Sequence, residues 1–266
     1  MSQQTDDIIA ITSPRDGLPD VIETPEALDD AISRLRAGSG PLAVDAERAS
    51  GFKFSQRAYL IQLRRQGSGS FLIDPTAFTD LHTLQEATAD MDWILHAATQ
   101  DLVCLDEVGL HPASALFDTE LAGRLLGRPR VGLATLLEEE LGISLAKEHS
   151  AADWSTRPLP ESWLVYAALD VEFLIELWES LKAKLVETEK LEWALQEFEY
   201  VQHNTKRPIR TEPWRRTSGL HVIKKPKQLA IVRDLWNLRN EIAEKIDLAP
   251  GRVLPDSAII NLATRD

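Results

Sequence analysis

A single cysteine, Cys104, stands in 266 residues. One thiol cannot close an internal disulfide and a Cys-rich zinc site needs several, so an oxidised secreted scaffold and a zinc ribbon are both excluded. Long apolar runs are missing too. No stretch approaches the ~20 residues that a bilayer core requires, so no spanning helix is expected. The opening MSQQTDDIIAITS has neither a basic start nor an apolar h-region, which argues against a signal peptide and makes the cytoplasm the expected location. Three catalytic templates lack their parts: there is no Walker loop, no Gly-x-Ser-x-Gly elbow and no histidine pair at zinc spacing. Internal repeats and low-complexity tracts are absent as well.

With 44% hydrophobic and 27% charged residues, the chain has the composition of a globular protein with one good-sized core and room for a small second unit. Its formal net charge of -13 argues, by itself, against a polyanion partner. The distribution argues the other way. Lys206, Arg207, Arg210, Arg215, Arg216, Lys224, Lys225 and Lys227 face the single acid Glu212 within one segment, a local +7 beside a body of -20. An acidic body with a basic strap suits a protein that keeps carboxylates for metal and cations for a phosphate backbone.

Residues 1–20 are polar and proline-punctuated, and a loose arm is expected there. Thr24-Pro25-Glu26 opens a helix that Gly38 ends. Strand patterns follow at 41–47, 59–64 and 70–74, with intervals too short for helices, so an antiparallel meander is predicted. Then the period changes: a helix over 81–89, a short buried strand at 93–96, and helices over 99–108, 119–126 and 133–141. A polar loop over 147–160 precedes a helix over 159–177 and a helical run through 185–201. This order predicts an α/β domain with a mixed β-sheet flanked by helices over 1–205, a basic linker over 206–225, and a small all-α unit over 226–266.

The chemistry sits in acids where acids are unfavourable. LAVDAER puts Asp45 and Glu47 on one face of a strand, with Val44 and Ala46 on the other. Asp101 follows the buried strand and is in phase with Leu105 and Val108. Tyr166, Asp170, Phe173 and Leu177 share one helical stripe, which turns Asp170 inward. Each pattern alone is ordinary: a solvated strand end, an acid in a helix's first turn, a packed aromatic beside a local hydrogen bond. Four acids converging on one place would repel by ~4 kcal/mol per close pair at an effective dielectric of 20, which calls for one or two divalent cations. All-oxygen ligation favours Mg2+ or Mn2+ over zinc.

Asp45-x-Glu47, His96 to Asp101, and Tyr166-x-x-x-Asp170, in that order, resemble the three exonuclease motifs of the DEDD superfamily, tyrosine branch. The surrounding blocks Tyr59-Leu60-Ile61-Gln62-Leu63, Phe71-Leu72-Ile73-Asp74-Pro75, Phe117-Asp118-Thr119 and Asp153-Trp154-Ser155-x-Arg157-Pro158-Leu159 are similar to the ribonuclease D family. The tail, with Leu229-Ala230, Leu235-Trp236, Arg239 and Ala243, resembles the start of an HRDC domain, a helical module that looks cut off. Its helices are not expected to close their own core, so their apolar faces would pack on the exonuclease domain or on a second chain, or be partly exposed.

The resemblance implies a ribonuclease H-like exonuclease fold and a two-metal 3′–5′ exoribonuclease that releases nucleoside 5′-monophosphates from structured RNA ends, tRNA precursors among them. It implies catalytic roles for Asp45, Glu47, Asp101, Tyr166 and Asp170. Asp45, Glu47 and Asp170 would hold one ion, and Asp45 the second, with Asp101 helping through water. Tyr166 would orient the attacking water, because a phenol of pKa near 10 is only ~0.1% ionised at pH 7. Tyr59, Gln62 and Arg157 are candidate substrate contacts, Tyr59 by stacking and Arg157 by meeting a phosphate or an acid of the body. The same five residues would serve a DNA-directed 3′–5′ exonuclease. A non-catalytic nucleic-acid-binding module is the reading from another class, against which the complete acid set stands.

Overall fold

The computed structural model describes residues 8–145, 152–205 and 211–265. Along the chain run β1 (Ile9–Ile11), β2 (Val21–Ile22), α1 (Pro25–Ala37), β3 (Ser39–Arg48), β4 (Ala58–Gln66), β5 (Gly69–Ile73), α2 (His82–Thr88), β6 (Trp93–Leu95), α3 (Leu102–Asp106), β7 (Leu116–Asp118) and α4 (Thr119–Leu125). Then come α5 (Leu133–Leu141), β8 (Ile143–Leu145), α6 (Glu161–Glu172), α7 (Leu174–Glu187), α8 (Leu191–His203), α9 (Pro226–Lys245), α10 (Pro250–Val253) and α11 (Asp256–Thr264). The chain forms two units, one of residues 1–48 and 57–205, the other of 49–56 and 206–266.

The first unit is built on a six-stranded sheet in the order β2-β5-β4-β3-β6-β7. β3, β4 and β5 form the antiparallel meander, and β2, β6 and β7 join in parallel, so the sheet is mixed as predicted. Strand β3 separates two cores. Leu42, Val44 and Ala46 pack with Leu28, Ile32 and Leu35 of α1, whereas Ala43 packs with Leu169, Val171 and Leu177 of α6 and α7. By the two-residue alternation of a strand, Asp45 and Glu47 therefore face the α6–α7 side.

Several local expectations change. The arm before residue 20 carries β1, which pairs in parallel with β8; Ile9 and Ile11 supply the apolar alternation that the two-stranded ribbon needs. The predicted helix over 159–177 is two helices. Phe173 (φ -120°, ψ 11°) ends α6, and Arg15 explains the break: its Nη2 donates to the Glu172 carbonyl at 2.7 Å and its Nε to Glu172 Oε1 at 2.7 Å. The predicted helix over 99–108 is a 3-10 turn, Ala98–Gln100, followed by α3. Residues 147–151 of the predicted polar loop lie outside the described residues.

The second unit is more than a pair of unsupported helices. Trp214 and Ile223, from what reads as linker, are buried with Val232, Ile259, Ile260 and Ala263, so this stretch closes the helices' own core. Arg239 is buried and donates to Asp256 Oδ1 at 2.6 Å. Residues 49–56 belong here too: Ala249 N donates to the Phe52 carbonyl, Arg252 Nε to the Gly51 carbonyl, and Ser55 N to Asp247 Oδ1. Of the basic strap, Lys206, Arg207 and Arg210 lie outside the described residues, and Arg215 is paired with Glu212. Among the described residues no helix is long and apolar enough to cross a membrane.

Candidate active site

Strand β3 supplies the first two acids, and its pairing with β4 slips immediately after Glu47, where regular alternation ends. Helix α6 supplies the third. It starts after Pro160 and carries Tyr166 and Asp170 one turn apart, which puts both on one face. Carboxylate oxygens of Asp45, Glu47 and Asp170 all lie within 4.8 Å of one another, and each residue keeps some exposure to solvent. The three acids, drawn from two separate motifs, therefore converge, as an oxygen-only donor set of the kind that hard divalent cations take.

Asp101 stands outside that group of three, at the N-terminus of α3, 7% exposed. Its setting is specific. Ala97 adopts a left-handed conformation (φ 57°), and Ala97 N and Ala98 N both donate to the Asp118 carboxylate, at 3.1 and 2.9 Å. Asp118 also accepts from Glu120 N and Leu121 N at the start of α4. The N-cap of α4 is thus also the anchor of the turn that presents Asp101. A polar side chain after a buried strand was the only available signal for that second role.

Electrostatics distinguishes these acids from ordinary surface carboxylates. Burial pushes Asp45 up to about 6. Burial and then the charges of Asp45, Asp170 and Asp101 push Glu47 up to about 10. Asp101 and Asp170 are raised well above the usual carboxylate range, by burial first and by Asp45 next. Arg48 offsets part of this field at Asp45, Glu47 and Asp101. Among the described residues, however, no Lys, Arg or His lies within ion-pair distance of any of the four. The Tyr166 hydroxyl donates to Asp170, and the phenol is raised by burial and by the neighbouring acids, so it is neutral at physiological pH.

The three candidate substrate contacts are placed differently. All five N–H groups of Arg157 are taken: Nε and Nη2 donate to Asp74 at 2.5 and 2.8 Å, Nη2 also to the Tyr59 carbonyl, and Nη1 to the carbonyls of Trp154 and Thr156. Of the two alternatives for Arg157, a phosphate or an acid of the body, these bonds match the second. Tyr59 is 7% exposed with Arg57 over its ring, which leaves little face for a base. Gln62 is fully buried, with no surface open to a nucleotide. His96 Nδ1 lies 2.9 Å from Thr119 Oγ1, and burial lowers its pKa to about 4, consistent with a neutral core histidine.

Residues 19–186 match the family model described as 3′-5′ exonuclease, and residues 228–266 match the HRDC domain model. Ribonuclease D of Pseudomonas paraeruginosa is 34% identical over 226 residues, which span 84% of this chain and 59% of that protein. The crystal structure of Escherichia coli RNase D superposes with a TM-score of 0.73 at 30% identity, covering 92% of this chain and 65% of that one. A structure of a protein from Bifidobacterium adolescentis is 47% identical with a TM-score of 0.92, covering 96% of this chain and 63% of that one. The chain thus spans about three fifths of the length of these relatives. With its motif acids gathered at one end of a mixed sheet and most of the first unit inside the matched region, the chain belongs to the 3′-5′ exonuclease family.

Proposed function

We propose that the chain is a divalent-metal-dependent 3′–5′ exoribonuclease that trims the 3′ ends of structured RNA in the cytoplasm, precursor tRNA included, and releases nucleoside 5′-monophosphates. One observation carries the reading: three carboxylates within 4.8 Å of one another, raised in pKa and without a cationic partner among the described residues. The donors fit Mg2+ or Mn2+. Asp45, Glu47 and Asp170 would hold one ion, and Asp45 with Asp101 would serve a second. When bound, such ions acidify a water and stabilise the oxygen leaving a phosphodiester.

The protein's own contribution is orientation. Asp170 is held by the Tyr166 hydroxyl, and Asp101 by the Asp118-pinned turn. With its phenol raised rather than lowered, Tyr166 acts as a hydrogen-bonding guide for the nucleophile and not as its base. The Escherichia coli relative is described as an exoribonuclease involved in structured RNA processing, which supports RNA over DNA as the substrate. The test is incubation with 5′-labelled RNA and DNA strands in Mg2+, Mn2+ or EDTA, beside Asp45→Ala. A metal-dependent ladder shortening from the 3′ end of RNA is expected. No ladder from the wild type in either metal would overturn the reading, and a ladder on DNA alone would overturn the RNA assignment.

A further inference from the structure

Gln62 occupies the middle of β4, fully buried, and among the described residues neither its Oε1 nor its Nε2 has a hydrogen-bond partner. Leaving both ends of a primary amide unpaired in a core costs stability, and its strand neighbours Leu60, Ile61 and Leu63 are all apolar. An amide kept at such a position needs a use. The register supplies a location for one: Gln62 lies directly opposite Asp45 across the β3–β4 ladder, as Leu60 lies opposite Glu47. Residues directly opposed in an antiparallel pair share a face, with Cβ atoms about 5 Å apart. The unpaired amide and the metal-binding face of β3 are therefore neighbours, and of the two β4 residues opposite Asp45 and Glu47, Gln62 and Leu60, Gln62 is the polar one.

We propose that Gln62 is a positioning residue of the metal site, whose amide N–H hydrogen-bonds the Asp45 carboxylate once a divalent cation is held and fixes that carboxylate for the ion. This rests on the metal-dependent reading of Asp45, Glu47 and Asp170. Hydrogen bonds to a ligating carboxylate orient it, and their loss typically weakens metal binding by about 10–100-fold. The position has opposite consequences in the two states: the amide is a burden without metal and a support with it.

The test uses the full chain with Gln62→Met and Gln62→Leu, both of which fit an apolar strand centre. Mn2+ affinity is measured by electron paramagnetic resonance, and melting is followed in EDTA and in Mn2+. Both variants should melt at or above the wild type in EDTA, bind Mn2+ about 10–100-fold more weakly, and need correspondingly more Mn2+ for half-maximal rate. Their kcat at saturating Mn2+ should stay within about threefold of the wild type. Mn2+ affinity within about twofold of the wild type in both variants would overturn the role of Gln62 while leaving the metal reading intact. Absence of Mn2+ binding by the wild type would overturn the metal reading, and this proposal with it.

Discussion

Two sets of buried acids sit within the same unit, and they are treated in opposite ways. Glu172, fully buried, meets Arg15 and Arg64; Asp74 meets Arg157; Glu140 meets Arg128 and Lys184. At Asp74 and Glu140 burial works to raise the carboxyl, and hydrogen bonds from Arg157 and Lys184 override it, leaving both groups lowered. Asp45, Glu47, Asp101 and Asp170 get no such partner among the described residues and are raised instead. Burial is common to both sets, so it does not mark function. What marks function is burial left uncompensated by the chain, with some opening to solvent through which a cation can supply the missing charge.

The sharpest way to break this contrast is to neutralise one acid of each kind. Asp45→Asn removes the carboxylate proposed to serve both ions and should slow RNA hydrolysis by about 10³-fold, the several kcal/mol that a bound ion contributes at 1.36 kcal/mol per decade. The same variant should melt higher than the wild type in EDTA, because a charge repelled by its neighbours is gone. Single-turnover rates and melting curves on one preparation check both signs. Next in size, Arg157→Met should destabilise the fold by about 3 kcal/mol in urea titration, since it leaves Asp74 and three carbonyls without their donor. The surviving folded fraction should keep its metal affinity, which a phosphate-gripping or metal-site role for Arg157 would not predict.

Much of this was legible in the sequence, and the part that was not has a common cause. The alternation in LAVDAER, the apolar phase of Asp101 and the single-turn spacing of Tyr166 and Asp170 are local patterns, and periodicity orients such side chains without any tertiary information. Partner choice is not local. Arg15 reaches Glu172 across 157 positions, and Arg157 reaches Asp74 across 83, so neither the break in the 159–177 helix nor the fate of Arg157 could be read from neighbours. The burial of Gln62 was hidden for the same reason. A polar residue on an otherwise apolar strand points inward or outward by register, and its strand pairs with β3 and β5 on both sides beneath α6. Trp214 and Ile223 fell within a basic segment whose charge concealed its contribution to a core.

A smaller effect separates the two sets by pH. An acid raised in the folded state binds protons that the unfolded chain has already released, so its share of stability is present below about pH 4 and is lost as pH rises through the folded pKa. For Asp45 that loss runs from about pH 4 to about 6, and for Glu47 it continues toward about 10. Asp74 and Glu140, lowered, act with the opposite sign: their share is present at neutral pH and is lost as pH falls below the usual carboxylate range. The stability difference between Asp45→Asn and the wild type in EDTA should therefore grow by about 1.4 kcal/mol from pH 5 to pH 8. Saturating Mn2+ should abolish or reverse that difference, because the cation stabilises only the wild-type carboxylate. A difference independent of pH would place Asp45 with the paired acids.

The smallest expected effect tests where the boundary between the two sets runs. Tyr166 is a neutral side chain hydrogen-bonded to a site carboxylate, and its hydroxyl gives Asp170 the partial compensation that arginines give the paired acids. If orientation is its whole contribution, Tyr166→Phe should slow hydrolysis about 10-fold, the ~1.4 kcal/mol expected of one hydrogen bond to a charged group. Mn2+ affinity should fall by less than about threefold, since all the carboxylates remain. The pH–rate profile should keep its shape, because a phenol raised above its ordinary value does not titrate in the working range. Loss of a basic limb in the variant's profile would instead make Tyr166 the base. A fall in metal affinity as large as that from Asp45→Asn would mean that Asp170 depends on the phenol to be a ligand at all, so that the site's electrostatics extend to its hydroxyl.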